Sequence, residues 1–207
     1  MKTKCPRKIQ LLQSQLGYSG FFNIEILSYR HTLNQGGWSP TLERELFTRG
    51  EAVVVLLYDL KQQCVILVEQ CRAGAVKRAL QDNQSEQAWL IEPVAGMIDP
   101  GESAEQACAR EAAEEAGVQI SQLEYVCQFY PSPGGSDEIL HLYAASVDSL
   151  TVPEFAGLAE EGEDIRLIKW SFSQVAKSVK QAEINVASTW IALQWFIYQS
   201  GYFKTES

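Results

Sequence analysis

Histidine occurs only twice in this chain, at 31 and 141, and none of its five cysteines (5, 64, 71, 108 and 127) forms a CxxC pair. A zinc site built on thiolates and imidazoles is therefore not expected. The cysteines, odd in number and scattered, read as reduced thiols in or near a core rather than as a disulfide framework. Positive charge is scarce as well: 17 basic residues face 26 acidic ones, for a net charge of -9. General nucleic-acid binders and anionic-membrane binders need a basic face, so neither is expected. Long apolar runs are missing too. The longest, AVVVLLY (52–58), is far too short to span a bilayer. The N-terminus, MKTKCPRKIQ, has no apolar stretch suited to a signal peptide. The expectation is a soluble, cytoplasmic protein.

What is present is enough for a globule. The 207 residues are 46% hydrophobic, which suits one domain with a sizeable core and a small appendage. Residues 8–48 read as strands: FFNIEILSYRHTL (21–33) alternates in part, NQGGWSP (34–40) is a turn, and TLEREL (41–46) returns. So short a stretch is not expected to close a core of its own, and it is expected to pack against the main domain or a second subunit. From residue 50 the pattern changes. AVVVLLYDL (52–60) and CVILVEQ (64–70) read as buried central strands joined by a turn. Residues 73–87 read as a polar loop and WLIEPVAG (89–96) as one further strand. LEYVCQFY (123–130), EILHLYAASV (138–147) and IRLIKWSF (165–172) follow as strands, with the acidic loop EFAGLAEEGED (154–164) before the last. Two helices close the chain, at 173–182 and 186–199.

The segment GMIDPGESAEQACAREAAEEAGV (96–118) concentrates charge: glutamates at 102, 105, 111, 114 and 115, an aspartate at 99, and Arg110 as its single basic residue. Ser103 with Gln106 three positions on forms a capping-box pattern. Ala104 to Ala116 suits a helix, and Gly117 suits its stop. At 100° per residue, Glu111 and Glu115 share one face, one turn apart, with Glu114 beside them. Like charges at that spacing, placed in the last turn of a helix, destabilise it. Arg110 can reach Glu114 at i+4, while Glu111 and Glu115 are left without a basic neighbour. Oxygen-only ligands that need a counter-charge suit Mg²⁺ or Mn²⁺.

Read by spacing, the segment is Gly96, five residues, Glu102, seven residues, then Arg110-Glu111-Ala112-Ala113-Glu114-Glu115-Ala116-Gly117-Val118. This resembles the Nudix box, GX5EX7REUXEEXGU, at every fixed position. Ala112 is the one departure, smaller than the usual aliphatic. Further stretches resemble the ADP-ribose pyrophosphatase subfamily over nearly the whole chain: SGFF (19–22), RELFTRGEAVVVL (44–56), VEQCR (68–72), EPVAGMIDPGES (92–103), SPGG (132–135) and LAEEGEDI (158–165). Pro133 stands where a proline past the box is associated with ADP-ribose specificity.

The resemblance implies an α/β fold: a Nudix α/β/α sandwich with a mixed sheet flanked by helices. It implies an N-terminal antiparallel β region over 1–48 and a hydrolase domain over 49–207. It implies cleavage of ADP-ribose to AMP and ribose 5-phosphate on two or three Mg²⁺ or Mn²⁺ ions. The metal ligands would be Glu111, Glu115, Glu114, Glu163 and the backbone carbonyl of Ala95. Arg110 would orient the glutamates, and Glu102 would support them. Glu161 is the candidate general base, with the exchange of roles between Glu161 and Glu163, or the use of Glu160, left open. Arg72, Arg44, Phe21, Ser132 and Glu138 are the candidate substrate contacts. The partner is a small nucleotide-sugar, with no nucleic acid and no membrane, and a homodimer with exchanged N-terminal strands is expected. GDP-mannose is the rival substrate, and a catalytically silent nucleotide sensor is the rival class.

Overall fold

Residues 6–201 are described by a computed structural model of the chain. Cys5 lies outside them. The strand formers near the N-terminus pair as β1 (Ile9–Ser19), β2 (Asn23–His31) and β3 (Leu42–Thr48), an antiparallel sheet in that order. Between β2 and β3, Gly36 and Gly37 take φ values of 95° and 79°, a left-handed turn that glycine adopts without strain. Every residue of β1 is exposed, so this edge strand places no side chain in a core. The described residues up to Gly50, with Tyr130–Ile139, form one unit; Glu51–Phe129 and the residues from Leu140 onward form the other. The segment 130–139 thus folds with the N-terminal strands.

The second unit is built on β4 (Glu51–Asp59) and β5 (Cys64–Cys71), an antiparallel pair. Their apolar runs are buried on both faces, so side chains alternate between two cores. Val53, Val55, Leu57, Ile66 and Val68 face α2 (Ala104–Ala116) and its Ala107, Cys108, Ala112 and Ala116. Val54, Leu56, Val65 and Leu67 face α3 (Phe172–Lys180) and α4 (Ala187–Ser200) through Phe172, Val175, Leu193 and Phe196. Helices therefore cover both faces. β8 (Glu124–Phe129), β9 (Ile139–Ser146), β10 (Phe155–Ala156) and β11 (Ile165–Ser171) extend the sheet in the order β10-β11-β5-β4-β9-β8. His141 on β9 meets Glu51 at the start of β4, and the Val147 N–H meets the Tyr58 carbonyl near its end. Those two strands run parallel, which makes the sheet mixed.

Two local expectations are corrected. Residues 73–87 are not a loop: Ala73–Gln81 is a helix, α1, followed by a 3-10 turn at Ser85–Ala88. Ala75, Val76 and Ala79 share its inner face at helical spacing, but these side chains are small and only Ala79 is buried, so the short helix is easily taken for a polar loop. WLIEPVAG is not one strand. It splits into β6 (Trp89–Glu92), which pairs with β5, and β7 (Val94–Met97), which pairs with β4. Pro93, which has no N–H to give a ladder, stands at the break.

Candidate active site

The acidic helix α2 begins and ends as its sequence dictates. The Ser103 hydroxyl accepts the Gln106 N–H while the Gln106 side chain accepts the Ser103 N–H, a complete capping box. Gly117 caps the far end at φ 64°. The small side chains of Ala112 and Ala116 are fully buried against the sheet, and this close approach carries the neighbouring glutamates inward. Glu111 is buried and Glu115 is only 1% exposed.

Arg110 organises the cluster. It donates to both carboxylate oxygens of Glu102 (3.0 and 2.9 Å), to Glu111 (2.6 Å), to Glu114 (3.1 Å) and to the Met97 carbonyl (2.8 Å). The expectation that Glu111 lacks a basic neighbour is corrected: the long arginine side chain reaches the very next residue. Of Glu102, Glu111, Glu114 and Glu115, Glu115 alone bonds no basic side chain among the described residues. The Ala95 N–H donates to it at 2.9 Å. The Ile98 N–H bond to the Glu51 carbonyl sets the alternation of the β4–β7 ladder. Residue pairs exchange bonds at every second position, so Ala95 turns both its N–H and its carbonyl away from β4.

Burial pushes the Glu115 carboxyl up to about 8, with Glu111 and Glu163 adding like-charge repulsion, while the Ala95 N–H and Arg72 oppose the rise. Burial also raises Glu111 above the ordinary carboxylate range, against the pull of Arg110. A cation bound beside carboxyls so held would favour their ionised form. Arg72, at the N-cap of α1, donates to Glu92 at 2.6 Å. Glu163 accepts the Leu158 N–H at 3.1 Å, folding the acidic loop back on itself. Glu160 and Glu161 lie exposed on the intervening 3-10 turn, Ala159–Glu161.

The structure thus gathers Ala95, Arg110, Glu111, Glu114 and Glu115, with Glu163 and Arg72 close enough to act on Glu115 electrostatically. Among the described residues, no three carboxylate, thiolate or imidazole groups converge on one point. Glu111 and Glu114 are instead drawn to Arg110. The donor set still fits a hard divalent cation: it is oxygen-only, Glu111 and Glu115 are buried, and one arginine is shared among Glu102, Glu111 and Glu114.

Phe21, Arg44, Ser132 and Glu138 belong to the N-terminal unit. Phe21 is 91% exposed and packs edge-on against Phe22. Among the described residues, the Arg44 guanidinium donates only to the carbonyl of its neighbour Glu43. The Ser132 carbonyl accepts the Gly135 and Ser136 N–H groups, closing the SPGG turn. Glu138 pairs with Arg49 at 3.1 Å, and Arg49 also lies over the Phe22 ring. Arg49 escaped the sequence reading. Its Nε is buried and near Glu138 but is not aimed for a hydrogen bond. Only its place directly before Gly50, at φ 85°, could have singled it out from Arg44.

A family model described as NUDIX domain matches residues 48–188. An ADP-ribose pyrophosphatase of Haemophilus influenzae is 39% identical over 187 residues, 90% of this chain and 85% of that protein. One from Escherichia coli K12 is 38% identical over 198 residues, 96% and 92% of the two chains. A GDP-mannose pyrophosphatase of Cronobacter sakazakii is 31% identical over 187 residues, 90% and 93%. Among solved structures, an ADP compounds hydrolase superposes with a TM-score of 0.69 at 20% identity, covering 99% of this chain and 100% of the other. The chain belongs to the Nudix family.

Proposed function

We propose that this chain is an ADP-ribose diphosphatase, hydrolysing the substrate to AMP and ribose 5-phosphate with two or three Mg²⁺ or Mn²⁺ ions. The observation that carries the reading is the buried Glu111–Glu115 pair, one helical turn apart, in which Glu115 bonds no basic side chain among the described residues. Relatives named for ADP-ribose stand at 38–39% identity and those named for GDP-mannose at 30–31%, which favours the first substrate.

Glu111, Glu114, Glu115, Glu163 and the Ala95 carbonyl would hold the metal. Bound there, divalent ions polarise the phosphate oxygens and make water a better nucleophile. Arg110 keeps Glu111 and Glu114 in one arrangement. Glu161 takes the proton of the attacking water as its oxygen bonds to phosphorus, and the bridging P–O bond breaks with its electron pair leaving on the other phosphate. Arg72 offers paired donors to phosphate oxygens. Phe21 stacks on the adenine, and Arg44, Ser132 and Glu138 contact the nucleoside and ribose. The exposed β1, with Ile9, Leu11, Leu16 and Tyr18 open to solvent, supports a homodimer with exchanged N-terminal strands. Four free cysteines, 64, 71, 108 and 127, accord with a cytoplasmic setting. No helix of the described residues is long and apolar enough to cross a membrane.

The test is the purified chain with Mg²⁺ and a panel of nucleotide-sugars. AMP released from ADP-ribose well above GMP from GDP-mannose is the expected outcome. Faster GDP-mannose turnover overturns the substrate. Tight metal-dependent binding without turnover makes the chain a sensor. Glu115→Gln is expected to lose most of kcat with the fold intact, and near wild-type turnover refutes the metal role.

A further inference from the structure

Glu115 is held by two uncharged donors from two different strands. The Ala95 N–H of β7 reaches Oε2 at 2.9 Å, and the Gln70 side-chain amide of β5 reaches Oε1 at 3.4 Å, the weaker of the two. Arg110 directs its bonds to Glu102, Glu111, Glu114 and Met97 and gives none to Glu115. Gln70 is itself buried, and this is the single hydrogen bond its side chain makes among the described residues.

Strand alternation turns Gln70 toward α2, in line with the core residues Ile66 and Val68. An apolar side chain would continue that row. Burying an amide there costs free energy unless it is bonded, and the Glu115 carboxylate is its partner. A lysine or arginine in this place would neutralise Glu115 and compete with a cation, and a carboxylate would repel it. A neutral donor orients the group and leaves its charge free.

We infer that Gln70 is a positioning residue for Glu115: its amide, with the Ala95 N–H, fixes the carboxylate in the one orientation it presents to a divalent cation. This rests on the metal role of Glu115 proposed above. Partners that orient a metal ligand from behind typically set affinity by about 10–100-fold.

The experiment measures Mn²⁺ alone, by loss of the free-ion spin-resonance signal on adding the full chain without substrate. Gln70→Met keeps the side-chain length and removes the donors. Mn²⁺ affinity is expected to fall by about tenfold or more, while KM for ADP-ribose at saturating metal stays within about twofold. In a Glu115→Gln background the same change is expected to have no further effect on Mn²⁺. If Gln70→Met does not fold, Gln70→Asn, whose amide is one methylene too short, is expected to show the same loss. Wild-type Mn²⁺ affinity in a folded Gln70 variant, with Glu115→Gln impaired, overturns the inference and leaves the proposed function standing. Equal Mn²⁺ binding by wild type and Glu115→Gln overturns the metal role of Glu115 and the Gln70 inference with it.

Discussion

Gly96 lies so close against the Glu111 carboxylate that a Cβ at this position would overlap it outright. The obstacle is the end of a flexible side chain, not backbone, so an added methyl is cheap for the fold and costly for the site. Gly96→Ala is expected to swing Glu111 out of place and lower kcat by about 10–100-fold. The melting temperature should move by only a few degrees. Steady-state hydrolysis and a thermal melt on the same preparation check both halves. Unchanged kcat would mean that the position of Glu111 does not matter to turnover.

Arg110 supports three carboxylates through a fork of five donors, which an ammonium cannot reproduce. Arg110→Lys should therefore lose kcat severely and cost about 1–3 kcal/mol of stability, because buried acceptors lose their partners. Among the described residues, the Glu102 carboxylate bonds Arg110 and the Asp99 N–H, so it reaches the cluster through Arg110. Glu102→Gln should be milder in kcat than Arg110→Lys, and comparison of the two in denaturant melts and turnover separates the contributions.

The acidic loop separates two carboxylates by their bonding. Glu163 is tied to the Leu158 N–H, and Glu161 stands exposed on the 3-10 turn. Glu161→Gln should depress kcat with little effect on Mn²⁺ binding, as expected of a base. Glu163→Gln should weaken Mn²⁺ binding. The reverse pattern exchanges the two assignments.

Asp59 carries the stability prediction with pH. It is buried at the β4–β5 turn, where Oδ1 accepts the Lys61 and Gln62 N–H groups at 2.8 and 3.0 Å and Oδ2 accepts the Ser149 N–H at 2.9 Å. Those backbone bonds, Ser149 first, pull its carboxyl from 3.8 down to about 2. A lowered folded-state value stabilises the fold above the unfolded value and ceases to do so as pH falls through the folded one. The contribution, about 2 kcal/mol, should be lost between roughly pH 4 and pH 2. Asp59→Asn should show the loss already at neutral pH and a shallower acid limb in urea melts.

How far the sequence could be read depended on whether the signal was local. The α2 boundaries, its capping box and its glutamate face follow from spacing within one helix, and all were legible. The alternating burial of β4 and β5 was legible as continuous apolar runs. Helix α1 was not, since its inner face is carried by the small side chains Ala75, Val76 and Ala79 in a short, otherwise polar segment. The Pro93 break was hidden because both flanking halves suit a strand. Gln70 and Arg49 lie far in sequence from the residues they pair with, Glu115 and Glu138, and their type gives no sign of those partners. The reach of Arg110 to Glu111 depends on a side-chain length that a helical wheel does not represent.

β1 offers eleven exposed residues as the edge of its sheet, and Leu11 and Leu16 are 59% and 61% exposed. Apolar side chains on an open strand edge are an association surface unless something covers them. A second copy with exchanged strands would cover these. Leu11→Glu with Leu16→Glu is expected to shift the chain from dimer to monomer in light scattering behind gel filtration, and to lower its melting temperature. Both residues lie away from the α2 glutamates in sequence and belong to the other unit, so Mn²⁺ binding should persist in the monomer while ADP-ribose KM rises. A wild-type monomer, or an unchanged KM in the separated variant, would show that the exchanged strands contribute nothing to substrate binding.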